Sequence, residues 1–175
     1  MAAFVTASFL GVDIPVIQKT LSEYSGTNRR FDYIGTTDKG VKVIDDYAHH
    51  PTEIATTLRA ARQTEPKRLI CAFQPHRYSR TKLLAKEFGA AFAGADLLIL
   101  TDVYAAGEAP IPGVSGETIF AEVVELTGQK VSYIEKREDV APYLKTIAQP
   151  GDLIITMGAG DIWKTGEELA ELLKE

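Results

Sequence analysis

The chain has 175 residues, with 19 Lys and Arg against 24 Asp and Glu for a net charge of −5, and 45% of its positions are apolar. That composition supports one domain of roughly 100–150 residues with a real core and a small appendage, and excludes a disordered chain. No apolar run approaches the ~20 residues of a membrane span and no basic-then-apolar leader opens the chain, so a soluble, cytoplasmic protein without a membrane partner is expected, and the mild acidity speaks against nucleic acid.

In chain order, Ala2 to Leu10 reads as the end of an apolar helix without an N-terminal capping signal, as in a piece of a longer protein. Asp13 is expected to cap a second helix, with Pro15 in its first turn and Ile14, Ile17, Leu21 and Tyr24 at helical spacing. Residues 25–30 read as a linker. Residues 31–34 and 41–44 look like two strands joined through Thr37-Asp38-Lys39-Gly40. Apolar runs at 69–73, 97–100, 131–134 and 153–157 then alternate with helices expected over 51–65, 79–93, 116–127, 138–148 and 161–174. Most of these runs lack polar alternation, as parallel strands covered on both faces do. Cys71, the single cysteine, sits inside the first of them and reads as a small buried hydrophobe, which excludes disulfides and multi-cysteine zinc sites. Gly94 and Gly128 are expected to end helices. Strand alternating with helix over most of the chain predicts an α/β fold, a doubly wound and mostly parallel sheet with helices on both faces.

The unusual polar residues fall where such a sheet binds ligands, at the carboxyl ends of its strands. Asp45 to Glu53 follows one strand, Gln74 to Arg80 the next, Thr101 to Glu108 another and Gly158 to Asp161 the last, and all three histidines are among them. Asp46 suits a ribose hydroxyl or a cation, while its neighbour Asp45 should point to the other face. His50, before Pro51, reads as a helix N-cap. His49 and Glu53 with Asp46 imitate a metal site but lack a third nitrogen or sulfur ligand, so no metal is expected. Arg77 and Arg80 flank Ser79, read as a helix cap, and with His76 they suit a carboxylate or phosphate; the competing reading pairs either arginine with Glu87 or Asp102. Gly158-Ala159-Gly160 reads as a tight turn that lets backbone approach a ligand, because Trp163 breaks both the dinucleotide and the P-loop fingerprints.

Four segments together resemble the C-terminal portion of the Mur ligase family: Asp46-Tyr47-Ala48-His49, Phe73-Gln74-Pro75-His76-Arg77-Tyr78-Ser79-Arg80-Thr81, Asp102 to Glu108, and Gly158-Ala159-Gly160. The run from Gln74 to Thr81 points to its alanine-adding branch. The resemblance implies a Rossmann-like C-terminal domain over residues 31–175, a hinge at 25–30, and residues 1–24 as the last helices of a central ATPase domain that is otherwise missing along with the N-terminal domain. It implies ligation of L-alanine to UDP-N-acetylmuramate in peptidoglycan synthesis through an acyl phosphate, with ATP and Mg2+ as cofactors and the metal ligands in the missing central domain. Arg30 and Asp46 then match positions contacting ATP. His49, His76, Arg77, Arg80, Gly158 and Ala159 match the substrate side, with His49, Arg77 and Arg80 in the catalytic role and either His49 or His76 as the base. The fragment by itself is expected to be inactive. The alternatives are a ligase that recycles muramoyl peptides and a non-catalytic nucleotide-binding module; a dehydrogenase is disfavoured because no intact glycine fingerprint follows the first strand.

Overall fold

The computed structural model describes residues 2–24 and 26–174; Met1, Ser25 of the expected linker and Glu175 lie outside the described residues. Helices α1 (Ala2–Phe9) and α2 (Ile14–Glu23) come first. Asp13 stands at the N-cap of α2 without a side-chain capping bond, and of the expected apolar face only Ile17 is buried, with Ile14, Leu21 and Tyr24 exposed.

Strands β1 (Asp32–Thr36) and β2 (Lys42–Asp46) form the expected hairpin, followed by α3 (Pro51–Arg62) and β3 (Arg68–Phe73). Next come α4 (Tyr78–Leu83), α5 (Ala85–Ala91), β4 (Leu97–Leu100), α6 (Gly116–Thr127) and β5 (Val131–Tyr133). A 3-10 turn, α7 (Val140–Ile147), β6 (Asp152–Met157) and α8 (Trp163–Leu172) complete the chain. The strands lie in the order β1-β2-β6-β3-β4-β5, with β1 antiparallel and every other neighbouring pair parallel. This is the expected doubly wound sheet with one antiparallel edge strand.

Period-two alternation sorts the strands between two cores. Leu69, Cys71 and Phe73 face α3, α5 and α6 through Ile54, Leu58, Phe88, Phe92, Ile119 and Val123. Ile70 and Ala72 face α7 and α8 through Val140, Leu144, Leu169 and Leu173. Both faces are covered, which is why the strands read as continuous apolar runs and why Cys71 is fully buried, its thiol pushed up by that burial.

Three expected helices are corrected. The single helix over 79–93 is two, because the backbone leaves helical geometry at Leu84 and α5 turns to meet α6. Their approach is closest at Gly89, where a Cβ would stand 2.6 Å from Leu126 Cδ1. The helix expected from 138 opens as a 3-10 turn at Arg137–Asp139. The last helix starts at Trp163 rather than 161, since the amides of Asp161 and Ile162 are bonded by Gln74. Gly128 ends α6 in the left-handed region as expected, with φ of 59°. Gly94 does not; it is small because a Cβ there would meet Leu58 Cβ of α3 at 3.0 Å.

Candidate active-site crevice

The connections leaving β6 and β3 run to opposite faces of the sheet, toward α8 and toward α4 and α5, so a crevice opens between these neighbouring strand ends. Backbone bonds tie the polar segments together around it. Gly158 N–H donates to Asp46 O, Gln74 N–H to Met157 O, Tyr104 N–H to Pro75 O, and Arg77 N–H to Tyr104 O. Four segments distant in sequence therefore lie on one margin.

The floor is closed by Gln74, which is buried. Its Oε1 accepts from the amides of Asp161 and Ile162 at 3.0 and 3.2 Å, and its Nε2 donates to Asp161 Oδ1 at 3.0 Å. The glycines of this turn are required by that packing. A Cβ on Gly160 would sit 2.3 Å from Gln74 Oε1 and 2.7 Å from Tyr104 Cγ, and one on Gly158 would sit 2.7 Å from Gln74 O. On this side the turn packs against Gln74 and Tyr104 of the same domain. Both backbone polar groups of Gly158 are engaged within the domain, so Ala159, half-buried, is the more open point of the turn.

Above the floor, aromatic and cationic groups form a chain. The His76 ring stacks on Tyr104 at 5.7 Å between centroids, His49 lies 6.0 Å from His76, and Tyr47 meets His49 edge-on at 5.4 Å. Arg29 and Arg30 lie over the Tyr47 ring at 4.9 and 5.4 Å. Arg80 Nη1 donates to His76 Nδ1 at 3.2 Å and to His76 O at 3.3 Å. Burial, then the charge of Arg80, with His49 and Arg77 adding, holds His76 below the ordinary imidazole range; Glu108 opposes them.

The cap of α4 is not Ser79 but Arg77, held at φ of 74°, and Ser79 lies inside the first turn. Ser79 N–H and Oγ–H donate to the two oxygens of Glu108 at 3.0 and 2.6 Å. Those bonds, the hydroxyl's first, hold the Glu108 carboxyl below its usual range. Arg77 reaches Glu108 at 4.0 Å and is otherwise exposed. Neither arginine pairs with Glu87 or Asp102; Asp102 instead accepts from the Gly116 amide at the start of α6. His50 is the N-cap of α3, and Glu53 closes the capping box while accepting from the amides of His49 and His50.

The two aspartates at the end of β2 separate as the strand pleat requires. Asp46 is buried, with one oxygen accepting from Phe31 N–H at 2.8 Å and the other from Ala48 N–H at 2.7 Å. It borders an open hollow of about 440 Å³ with Arg30, Phe31, Thr52, Glu53, Thr56 and Thr57. Asp45 accepts from Thr156 Oγ1 and from Arg29 Nε.

Sequence reasoning missed Arg29. It donates to Asp45 at 2.9 Å, to Gly160 O at 3.1 Å and to Gly158 O at 2.6 Å, and so pins the residue before the hairpin onto the glycine turn. Nothing marked it out from Arg30 in a run of two arginines. Among the described residues no group of three or more His, Cys, Asp or Glu converges as a metal site, and no helix is long and apolar enough to cross a membrane.

A mostly parallel sheet gathering imidazoles, guanidiniums and a buried aspartate at the carboxyl ends of its strands is a ligand-binding α/β module, and the chain belongs to the Mur ligase family: the profile described as Mur ligase, glutamate ligase domain matches residues 29–160. The chain is 49% identical over 175 residues to UDP-N-acetylmuramate–L-alanine ligase from Pelotomaculum thermopropionicum, a match that covers 100% of this chain and 38% of that protein. Among solved structures, UDP-N-acetylmuramate-alanine ligase from Thermotoga maritima superposes with a TM-score of 0.80 at 27% identity, over 97% of this chain and 35% of that one. A murein peptide ligase from Psychrobacter arcticus shares the fold, with a TM-score of 0.71 at 24% identity over 98% of this chain and 35% of its own. The chain spans well under half the length of the curated relatives it matches.

Proposed function

We propose that this chain is the C-terminal domain of an ADP-forming, cytoplasmic ligase that joins L-alanine to UDP-N-acetylmuramate in peptidoglycan synthesis. The observation that carries this reading is the junction of the Gln74–Arg80 loop with the end of β2: His76 and Arg80 are hydrogen-bonded, and His76 lies 6.0 Å from His49. Residues 2–24 and the linker are read as the connection to a central ATPase domain, and the exposed apolar side chains Val5, Phe9 and Leu10 of this stretch suit packing there.

The hollow beside Asp46 fits the nucleoside part of ATP, since it offers an aromatic wall in Phe31, hydroxyls in Thr52 and Thr56, and a cation in Arg30. ATP, when bound, supplies the phosphoryl group that turns a carboxylate into a competent acyl donor. Mg2+ accompanies the ATP phosphates and is read as held by the central ATPase domain, so no residue of this chain is assigned to it. Arg77 and Arg80 hold the substrate carboxylate and offset negative charge as it grows on the acyl group. The Gly158–Asp161 turn, braced by Gln74, supports Tyr104 and through it the His76 ring.

The test is turnover of the full-length protein carrying Arg77→Ala or Arg80→Ala, with folding followed by circular dichroism. Each substitution is expected to lower kcat about 100-fold or more with the fold intact, and the 175-residue chain by itself is expected to make no product. Wild-type rates in both variants, or use of a muramoyl tripeptide in place of free L-alanine, would overturn the assignment.

A further inference from the structure

The two histidines of the crevice differ in what their ring nitrogens touch. His76 Nδ1 faces Arg80 Nη1 at 3.2 Å, and a guanidinium only donates, so Nδ1 must present a lone pair and the ring proton resides on Nε2. His49 Nδ1 lies 3.0 Å from Tyr47 O and 3.5 Å from Glu53 Oε2, both acceptors, so here Nδ1 carries the proton and Nε2 holds the lone pair. Among the described residues neither Nε2 has a protein partner. The two rings stand 6.0 Å apart at 60°.

We propose that the crevice holds its histidines as opposite tautomers, His49 as the proton acceptor through Nε2 and His76 as an N–H donor through Nε2, with Arg80 as the positioning residue that sets the second. This deepens the ligase reading and rests on it for the reaction. There, an N–H bond of the substrate ammonium breaks, its electron pair stays on nitrogen, and the proton goes to His49 Nε2. The freed amine forms the C–N bond at the acyl carbon while the C–O bond to phosphate breaks; the pair of that bond leaves with the phosphate, which also takes the second N–H proton of the amine. His76 cannot take that proton without placing a second N–H against the Arg80 guanidinium and a second positive charge beside it.

The groups facing each ring agree. His76 is approached by Arg80 on α4, Arg77 at its cap, His49 from the end of β2 and the Tyr104 ring, with Glu108 the one acid. Burial and the adjacent guanidinium hold it below the ordinary imidazole range. His49 has Glu53 on α3 as its acid, backed by Tyr47 and met by His76. An acid on the Nδ1 side orients an imidazole to accept at the far nitrogen.

The test is multiple-bond 1H–15N correlation of the histidine-labelled chain. His76 is expected to show a pyridine-type Nδ1 and a pyrrole-type Nε2, and His49 the reverse. The same tautomer in both rings, or His76 protonated at Nδ1, overturns the proposal. In Arg80→Met, His76 is expected to lose its tautomer preference and to titrate at higher pH; an unchanged spectrum removes Arg80 from the role. In the full-length protein, His49→Gln is expected to lower kcat by about 10²-fold or more. His76→Leu is also expected to lower it, and His76→Gln, which restores an N–H near the Nε2 position, to recover about tenfold of that loss. Absence of that recovery overturns the donor role. If the full-length protein fails to use L-alanine, the ligase reading falls while the nitrogen spectra still decide the tautomers.

Discussion

Replacing Arg29 by Met tests whether the residue ahead of the hairpin is part of the domain's structure. The guanidinium makes three hydrogen bonds, to the Asp45 carboxylate and to the carbonyls of Gly158 and Gly160. Its side chain is 19% exposed and that of Asp45 only 4%. Methionine keeps an apolar stem of similar length but removes the guanidinium from over Tyr47 and leaves a buried carboxylate with Thr156 as its remaining side-chain partner. Removing one member of such a pair costs about 3–5 kcal/mol, below the sum of three charge-assisted bonds because Asp45 can take up a proton instead.

That escape gives the substitution a pH signature. Burial already raises Asp45 above its ordinary value of 3.8, with Arg29 and Thr156 working against it. A carboxyl raised in the folded state contributes stability that is complete below the unfolded value and lost as pH climbs through the folded one. Loss of Arg29 moves the folded value further up, so the penalty grows as pH rises from 5 toward 8. Urea unfolding followed by the fluorescence of Trp163, the single tryptophan, measures it at each pH. A penalty under about 1 kcal/mol, against the expected range, or one that is the same at both pH values, would refute the reasoning.

Gly160→Ala is expected to destabilise the chain by about 1–3 kcal/mol, because its Cβ would displace the Gln74 amide and the Tyr104 ring, while Gly35→Ala, which meets nothing within 4 Å, stays within about 0.5 kcal/mol; equal effects in urea unfolding would show that the turn has room. Asp96 lies below its ordinary value of 3.8, since the Leu69 amide and Arg62 outweigh the effect of burial. Its contribution is therefore present above that pH and lost as pH falls through the folded value. Asp96→Asn is expected to be less stable than the parent at pH 7 and to converge with it in acid unfolding, and a deficit independent of pH would contradict this.

Much of the architecture was legible because burial leaves a direct trace in composition. Strand β4 and helix α6 fall on the residues expected, the first as an unbroken apolar run and the second between Ser115 and Gly128. The capping role of His50 was readable from Pro51 after it. The break at Leu84 was not, because an apolar helical face continues across it from Leu84 to Phe88 and Phe92, and only the close approach of α6 at Gly89 requires the turn. Ser79 looked like a cap by residue type, yet Arg77 takes that position at positive φ while Glu108, 29 residues away, claims the serine. The bracing roles of Gln74 and Arg29 were not legible locally, since their partners lie 87 and 131 residues along the chain.

The amino-acid order alone determined the alternation of strand and helix, and with it the gathering of the polar segments at one sheet margin. Periodicity and crossover geometry are local or topological properties that a linear pattern contains. Which polar atoms are spent inside the domain and which face the crevice was decided only when the chain closed. Gly158 bonds to Asp46 and Arg29, Arg77 stays exposed, and Arg80 donates to His76 Nδ1. Hydrogen-bond satisfaction depends on distances of about 3 Å between residues far apart in sequence, and only folded coordinates contain those distances.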